Sequence, residues 1–461
     1  MTRTRRDFLR EIGCGALTAT ALLTGARDLF VMNALAADAD PADYKALVCI
    51  FLFGGNDANN TVIPLDGYAE YAAARTLLSI PQAQLLPIGV PSAAATFGLH
   101  PKLTRLQGLW QAHRLAVVAN VGPLVAPLTR SQYLGKTVPR PYQLFSHSDQ
   151  QTEWQSGYAT GPVPTGWGGR VADVVQASTS GFPTVASLAG LTLFSLGSRS
   201  SPVSVPPAPT QLSRALAFQR TGDTAAGSAF RQLLGKGLTA TAPILVQEAA
   251  DVGARLVADG LALTQDPPLA TAFPNTSLGN QLKQAAKLMA LRGALGLRRQ
   301  VFFCSIGGFD THTNQGTTAG TQPDLLGTLS DAMGAFYDAT VELGIAAQVT
   351  TFTQSDFSRT LKPAGIGGAL GSDHAWGSHH FVMGGAVAGG DFYGTFPALV
   401  PNGPNDADSG SGARGRWIPT TAVDQYAATL ALWFGVSASD LPTVVPNIGH
   451  FSPVNLAFMT G

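Results

Sequence analysis

The chain has 461 residues, of which 45% are hydrophobic and only 13% are charged, and its formal net charge is zero. This balance argues against nucleic acid as a partner, because binding a phosphate backbone requires an excess of basic charge. The length and the hydrophobic content are sufficient for a large core. Cys49 and Cys304 lie inside apolar runs, so we expect buried free thiols.

The N-terminus has the pattern of an export signal. Residues 5–9 read RRDFL, residues 16–23 are a short apolar run, and residues 34–36 have the small side chains of a cleavage site. Paired arginines in this position are typical of the twin-arginine pathway, and the apolar run is too short to span a membrane. We therefore expect a signal peptide over residues 1–36, recognised by the twin-arginine export machinery, and a periplasmic or secreted mature chain over residues 37–461 with no membrane span.

Apolar runs predict buried strands of the kind found in parallel sheets, because both of their faces are hydrophobic. The predicted strands are residues 45–53, 115–120, 301–306, 347–352 and 381–383. Helical spacing of apolar residues predicts helices at 68–78, 103–113, 243–263, 277–299, 325–343 and 421–434. Residues 181–240 are rich in Ser, Pro and Ala. We therefore predict an irregular and helical insertion at about residues 180–300 that covers the sheet as a cap.

Three of the predicted strands are followed closely by a carboxylate, at Asp57, Asp310 and Asp356. In open α/β sheets, ligands bind in the crevice beyond the carboxyl ends of the strands, so we expect these side chains to enter one crevice. Asp57 alone also fits a turn or a helix N-cap. His312 follows Asp310 with one residue between them, and alternation along an extended segment places both on one side.

Residues 371–390 read GSDHAWGSHHFVMGGAVAGG and combine Asp373, His374, His379 and His380 with many glycines. Imidazole and carboxylate are the ordinary ligands of zinc and similar metals, and glycine allows the backbone to approach a ligand closely. The pattern therefore predicts part of a metal site. The alternative is a glycine-rich turn whose histidines face solvent.

Residues 143–151 read QLFSHSDQQ and bring together a hydroxyl, an imidazole and a carboxylate. A hydroxyl nucleophile requires a base or a metal for activation, so Ser146 is the candidate nucleophile, Ser148 is the second choice, and His147 is a candidate acid/base group. The same residues fit the start of a helix, with Ser146 as N-cap and Asp149 in a capping box. Both interpretations are compatible, because a helix N-terminus also stabilises an anion.

Five motifs in this order resemble the exported family known as domain of unknown function 1501. They are GGNDANNTVIPL, SHSDQQTEWQSG, GGFDTH, TQSDFSR and GSDHAWGSHHFVMGGAVAGG. That family is similar to the alkaline phosphatase and sulfatase superfamily, and the resemblance covers nearly all of the mature chain. It implies a three-layer α/β sandwich with a mostly parallel central sheet flanked by helices. It also implies one or two divalent ions held by strand-end Asp and His residues, beside a nucleophile that attacks phosphorus or sulfur.

The resemblance assigns roles by position in this sequence. Ser146 stands at the position where the nucleophile is expected, with His147 beside it. The implied ion is zinc, calcium or magnesium. The implied metal ligands are Asp57, Asp310, His312, Asp356 and His374, and the implied supporting or substrate-contacting residues are Asn56, Arg170, Arg359, Asp373, His379 and His380. Three features depart from the superfamily pattern. Asp310 and His312 are closer in sequence than the corresponding phosphatase pair, and no cysteine lies near Ser146 to supply a formylglycine. Phe357 stands where a second-site histidine is expected, a ligand that His379 or His380 could supply.

The expected function is metal-dependent hydrolysis of a phosphate or sulfate ester, on a small molecule or a glycan. A non-catalytic periplasmic protein on the same fold, binding or assembling extracellular polysaccharide, is the alternative. A metal-free serine esterase that uses Ser146 and a histidine is a third hypothesis.

Overall fold

The computed structural model describes residues 43–175, 182–215, 259–260 and 262–460. The predicted signal peptide and most of the predicted helix at 243–263 lie outside the described residues. No helix in the described ranges is long and apolar enough to cross a membrane.

The five apolar runs predicted as strands are strands in the structure, which also describes seven shorter ones. The strands are β1 (Lys45–Leu52), β2 (Val62–Pro64), β3 (Leu86–Val90), β4 (Ala95–Leu99), β5 (Leu115–Gly122), β6 (Val185–Ser187), β7 (Val203–Ser204), β8 (Arg299–Ile306), β9 (Val349–Ser355), β10 (Ser378–Gly384), β11 (Phe392–Tyr393) and β12 (Thr421–Ala422). The helices are α1 (Tyr68–Arg75), α2 (Thr104–Gln111), α3 (Arg130–Gly135), α4 (His147–Ser156), α5 (Trp167–Val174), α6 (Ser277–Ala290), α7 (Thr321–Glu342), α8 (Val423–Phe434) and α9 (Leu441–Val444).

The central sheet has the strand order β11-β5-β10-β9-β1-β8-β6-β7, with β12 also paired to β5. β1 is parallel to both of its neighbours, β8 and β9, whereas β10 is antiparallel to β5 and β9. The predicted fold class, a mostly parallel sheet flanked by helices, is confirmed. A smaller antiparallel sheet has the order β2-β4-β3.

Alternate side chains of β1 enter two separate cores, one on each face of the sheet. Val48 and Ile50 pack on the side of α2, α6 and α7, and Cys49 and Phe51 pack on the side of α4, α5 and α8. This two-sided burial explains why the strand is apolar at almost every position. Cys49 and Cys304 are fully buried and free, as predicted, and burial raises the pKa of both thiols.

Two short strands within the predicted insertion belong to the central sheet. β6 pairs with β8 at Val185↔Val301, and β7 pairs with β6, so these two segments extend one edge of the sheet. The cap itself stays a prediction, because part of it lies outside the described residues. The strands have three and two residues. Such short strands carry too few side chains for a period of two to be recognised in the sequence.

The topology brings several loops to one edge of the sheet. Leu52 is in register with Ile306 and with Ser355, so β1, β8 and β9 all end at the same level. Because β10 runs in the opposite direction, it begins at that edge, and the residues before it return there. The segment after β5 also leaves from this edge, because β5 is antiparallel to β10.

Candidate metal centre

Three imidazoles converge on one carboxylate at this edge. Asp310 Oδ1 lies 3.2 Å from His312 Nε2 and 3.5 Å from the Nε2 atoms of both His147 and His374. His312 Nε2 lies 2.8 Å from His374 Nε2. Ligand atoms of His147, Asp310 and His374 all lie within 4.8 Å of one another.

Glycines allow the loops to approach so closely. A Cβ on Gly54, which has a φ of +110°, would lie 2.4 Å from the backbone nitrogen of Asp310. A Cβ on Gly371 would lie 2.2 Å from the carbonyl oxygen of Thr311. Neither position can accept a larger residue without moving the loop that carries Asp310.

The second nitrogen of each imidazole has a partner outside the cluster. His147 Nδ1 lies 2.6 Å from Asp356 Oδ2, and His312 Nδ1 lies 3.2 Å from Asp373 Oδ1. His374 Nδ1 donates to the carbonyl oxygen of Phe145 at 2.8 Å. An acceptor at Nδ1 places the proton there and turns the lone pair of Nε2 toward the cluster. This arrangement of outer partners is common around metal-binding histidines.

These residues fit a metal ion. His147 Nε2 is buried and has no hydrogen-bond partner within the described part of the chain. The Nε2 atoms of His312 and His374 lie at hydrogen-bond distance from each other, and because each Nδ1 faces an acceptor, this contact requires either a proton on one Nε2 or a cation beside both. Three imidazole nitrogens and one carboxylate form a donor set typical of zinc.

The environment shifts the pKa values of three members of the cluster. The hydrogen bond to Asp356 raises the pKa of His147, and burial lowers the pKa of His374. Burial alone would raise the pKa of Asp310, but the hydrogen bond and the charge of Arg359 outweigh it, so this pKa is lower than usual. Asp310 is thus held in its ionised form.

Phe357 forms one wall of the cluster. Its ring stacks on His374 at a centroid distance of 4.7 Å and lies 4.8 Å from the ring of His147. The position where the superfamily pattern suggests another ligand is therefore occupied by an apolar ring that orients two of the imidazoles.

Residues 44–406 match the family described as "Protein of unknown function (DUF1501)". The chain belongs to this family. The prediction drawn from the five motifs is thereby confirmed.

Several solved structures are similar to this DUF1501 protein over much of its length. The PsFucS1 sulfatase from Pseudoalteromonas sp. aligns over 90% of this chain and 72% of its own, with 9% identity and a TM-score of 0.36. Ps i-CgsB in complex with k-i-k-neocarrahexaose aligns over 88% and 77%, with 8% identity and a TM-score of 0.34. A quadruple mutant of the alkaline phosphatase PafA aligns over 70% and 64%, with 11% identity and a TM-score of 0.26.

No curated relative matches the DUF1501 protein in sequence.

Two predicted ligands of the DUF1501 protein lie outside the cluster. Asp356 is fully buried, and its Oδ2 accepts hydrogen bonds from His147 Nδ1 and from Gln151 Nε2 at 2.8 Å. Asp57 is also fully buried, but it pairs with Arg75. It also accepts from the backbone nitrogen of Asn59 at 3.1 Å, which is the capping role that its sequence context also allowed.

The predicted supporting residues divide into two groups. Arg359 contacts Asp310, and Asp373 joins His312 to Arg414, so both lie beside the cluster. Asn56 accepts a hydrogen bond from Gln322 Nε2 at 2.7 Å within a buried network.

The other predicted supporting residues are buried in the interior of the protein. Arg170 donates to the carbonyl oxygens of Ser156 and Val444. His379 and His380 are almost fully buried in β10, where burial lowers the pKa of each to about 3. The contacts of these three side chains do not include the cluster residues.

Ser146 occupies the N-cap position of α4. Its Oγ donates to Asp149 Oδ2 at 2.5 Å and lies 3.2 Å from Ser148 Oγ. Ser146 therefore stands at the start of the helix, as the alternative interpretation predicted, but its side chain binds a carboxylate and not the backbone. Its role as a nucleophile stays a prediction. The described hydrogen bonds of Ser146 Oγ do not include an imidazole, which weakens the hypothesis of a metal-free serine esterase.

Sequence reasoning missed the ligand geometry of His147 and the contributions of Gln151 and Arg414. Gln151 follows His147 by four positions, so helical spacing already places both on one face of α4. The side chain of Arg414 contacts Asp373 and the carbonyl oxygen of Pro363, 41 and 51 positions away, and no local pattern indicates its role.

Proposed function

We propose that this protein is a metal-dependent hydrolase of phosphate or sulfate esters. The observation that supports the proposal most strongly is the convergence of three Nε2 atoms on Asp310, with each Nδ1 held from outside. The class of ester rests on the resemblance of the five motifs to the alkaline phosphatase and sulfatase superfamily.

His147, His312, His374 and Asp310 would hold one divalent ion, and this donor set favours zinc over calcium or magnesium, which prefer oxygen ligands. When bound, such an ion acts as a Lewis acid toward an ester oxygen. The chain itself supplies the orientation of the imidazoles through Asp356, Asp373 and the carbonyl oxygen of Phe145.

Ser146 is the proposed nucleophile. As its Oγ bonds to phosphorus or sulfur, its proton passes to Asp149 Oδ2, which already accepts this hydrogen bond at 2.5 Å. The ester oxygen leaves with the electron pair of its bond, and water then hydrolyses the covalent ester on Ser146. The N-terminus of α4 favours the negative charge of the transferred group.

Metal analysis of the purified mature protein, followed by a screen of aryl phosphates and aryl sulfates, tests the proposal. We expect bound zinc and hydrolysis of at least one ester class, both of which are lost in Asp310→Asn and His374→Ala. His113→Asn is the matched control, because His113 is an exposed histidine that precedes β5, at the opposite edge of the sheet. A protein that contains no metal and whose activity survives both changes would refute the proposal.

Zinc binding without hydrolysis of any ester would favour the alternative function. The protein would then be a periplasmic binding or assembly protein, and saturable binding of sulfated or phosphorylated glycans would be its expected activity.

We also propose export through the twin-arginine pathway, on the evidence of residues 5–9, 16–23 and 34–36 of the sequence. Replacing Arg5 and Arg6 together by lysine should retain the full chain in the cytoplasm. Unchanged delivery to the periplasm would show that another route is used.

A further inference from the structure

Three arginines accompany the acidic residues of the candidate metal centre. Arg75 pairs with Asp57, Arg359 pairs with Asp310, and Arg414 pairs with Asp373. The remaining carboxylate, Asp356, has no arginine partner among its described contacts and binds His147, Gln151 and the backbone nitrogen of Gly54.

Arg359 is a fixed component of the site. Its side chain is fully buried, and its guanidinium donates to the carbonyl oxygens of Gly54 at 2.8 Å and Ser372 at 2.9 Å as well as to Asp310. It therefore joins the loops after β1 and β8 to the loop before β10. A guanidinium remains charged at any physiological pH, so this positive charge is permanent.

The carboxylate of Asp57 is likewise held in place by hydrogen bonds. Its Oδ2 accepts from Arg75 and from Gln315 Nε2 at 2.5 Å, and its Oδ1 accepts from the backbone nitrogen of Asn59. Both Asp57 and Arg75 are fully buried. A cation bound to Asp57 would have to displace the guanidinium and leave it buried without a partner, which is strongly unfavourable.

The charges around the centre also limit the number of ions. Arginines pair with Asp57, Asp310 and Asp373, whereas the described contacts of Asp356 and Asp149 include no arginine. Two units of negative charge therefore remain when the histidines are neutral. One divalent ion neutralises them, whereas two divalent ions would leave two positive units in a partly buried site.

We infer that the centre binds one divalent ion and not two, and that Arg75 supplies the positive charge that a second ion would bring to Asp57. The inference rests on the metal site of the proposed function, and it specifies the composition of that site. Asp57 is then a structural partner of Arg75, and the loss of Asp57 affects stability without affecting metal content.

Native mass spectrometry and elemental analysis of the mature protein in excess zinc test the inference. We expect one zinc ion per chain in the wild type and in Asp57→Asn, with a lower melting temperature for the variant, and no bound zinc in Asp310→Asn. If Asp57→Asn does not fold, the double variant Asp57→Asn, Arg75→Met removes both buried charges and should also bind one ion.

Two ions in the wild type, or loss of an ion from either Asp57 variant, would overturn the inference and leave the proposed function intact. A wild-type protein without any bound zinc would overturn both. These outcomes are distinguished by ion counts alone, so no substrate is needed.

Discussion

His312 Nε2 lies 2.8 Å from His374 Nε2, although each ring directs its other nitrogen toward an acceptor, Asp373 for His312 and the carbonyl oxygen of Phe145 for His374. When both rings are neutral with the proton on Nδ1, the two Nε2 lone pairs repel each other at this distance. A metal ion beside both nitrogens converts the repulsion into coordination, so the folded chain should bind a metal more tightly than the unfolded chain does.

Removal of the ion should therefore destabilise the protein. At a free zinc concentration 100 times the dissociation constant, binding to the folded state alone adds about 2.7 kcal/mol to the free energy of unfolding. Thermal unfolding with zinc and with a chelator measures the difference. His374→Ala should unfold at the same temperature under both conditions, and a wild-type protein indifferent to the chelator would contradict the metal site.

Asp356→Asn should weaken zinc binding by about 10- to 100-fold, which is the usual effect of losing an outer partner of a ligand histidine. The charge on Asp356 orients His147 and increases its basicity through the 2.6 Å hydrogen bond. Competition with a zinc-binding dye gives the affinities. Asp338→Asn, at an exposed ion pair with Arg105, is the control, and equal affinities for the two variants would exclude this role.

The strands of the site were predictable because they are apolar on both faces. The run predicted at 45–53 corresponds to β1 at Lys45–Leu52. Because Asp310 follows a predicted strand closely, the sequence also placed it at the edge of the sheet where the loops meet. The C-terminal part of one helix was predicted less well, because the helix predicted over 277–299 ends at Ala290.

The partners of the acidic residues could not be predicted from local sequence. Arg75 lies in a short helix, where an arginine ordinarily faces solvent, and it is buried here because Asp57, Asn60 and two backbone carbonyl oxygens accept its guanidinium. The direction of His147 depends on the path of the loop between β5 and α4, where Gln143 and Phe145 adopt φ angles of 51° and 70°. Such conformations are set by the surrounding fold and are rare for these residue types.

Arg75→Met should lower the free energy of unfolding by about 3–5 kcal/mol, because it leaves the Asp57 carboxylate buried without its counter-charge. Urea denaturation measures the change. The double variant with Asp57→Asn should recover part of the loss. If Arg75→Met is as stable as the wild type, Asp57 has another compensating partner, and the ion pair is not what stabilises this buried charge.

Ser146→Ala should reduce ester hydrolysis on the order of 10³-fold or more while zinc content stays unchanged, as expected for a covalent nucleophile. Ser148→Ala should have a small effect, because Ser148 Oγ lies 3.3 Å from Asp149 Oδ2, compared with 2.5 Å for Ser146. Initial rates with an aryl ester compare the two variants. The opposite ranking would assign the nucleophile to Ser148.

The free energy of unfolding should decrease as the pH rises, because Glu153 is buried. Burial, and then the charge of Asp149, raise the pKa of Glu153 from 4.5 to about 9, so the folded state retains a proton that the unfolded state has lost. The contribution of Glu153 to the free energy of unfolding is complete below about pH 4.5 and decreases progressively up to about pH 9. At pH 7 the loss is about 3 kcal/mol.

Glu153→Gln should therefore flatten the dependence of the free energy of unfolding on pH across this range. Denaturant unfolding at several pH values measures the slope. Glu70→Gln, an exposed position in α1, should leave the slope unchanged, and equal slopes for wild type and Glu153→Gln would show that Glu153 ionises normally.

The hydrogen bond between His147 and Asp356 joins residues that are 209 positions apart. Nascent chains therefore cannot assemble the centre until β9 and the segment after it have been synthesised and have paired with β1. For the metal site proposed above, insertion of the ion would then follow the pairing of β1 with β8 and β9. A truncated or misfolded copy would remain without metal, which offers a simple way to separate correctly folded molecules from the rest.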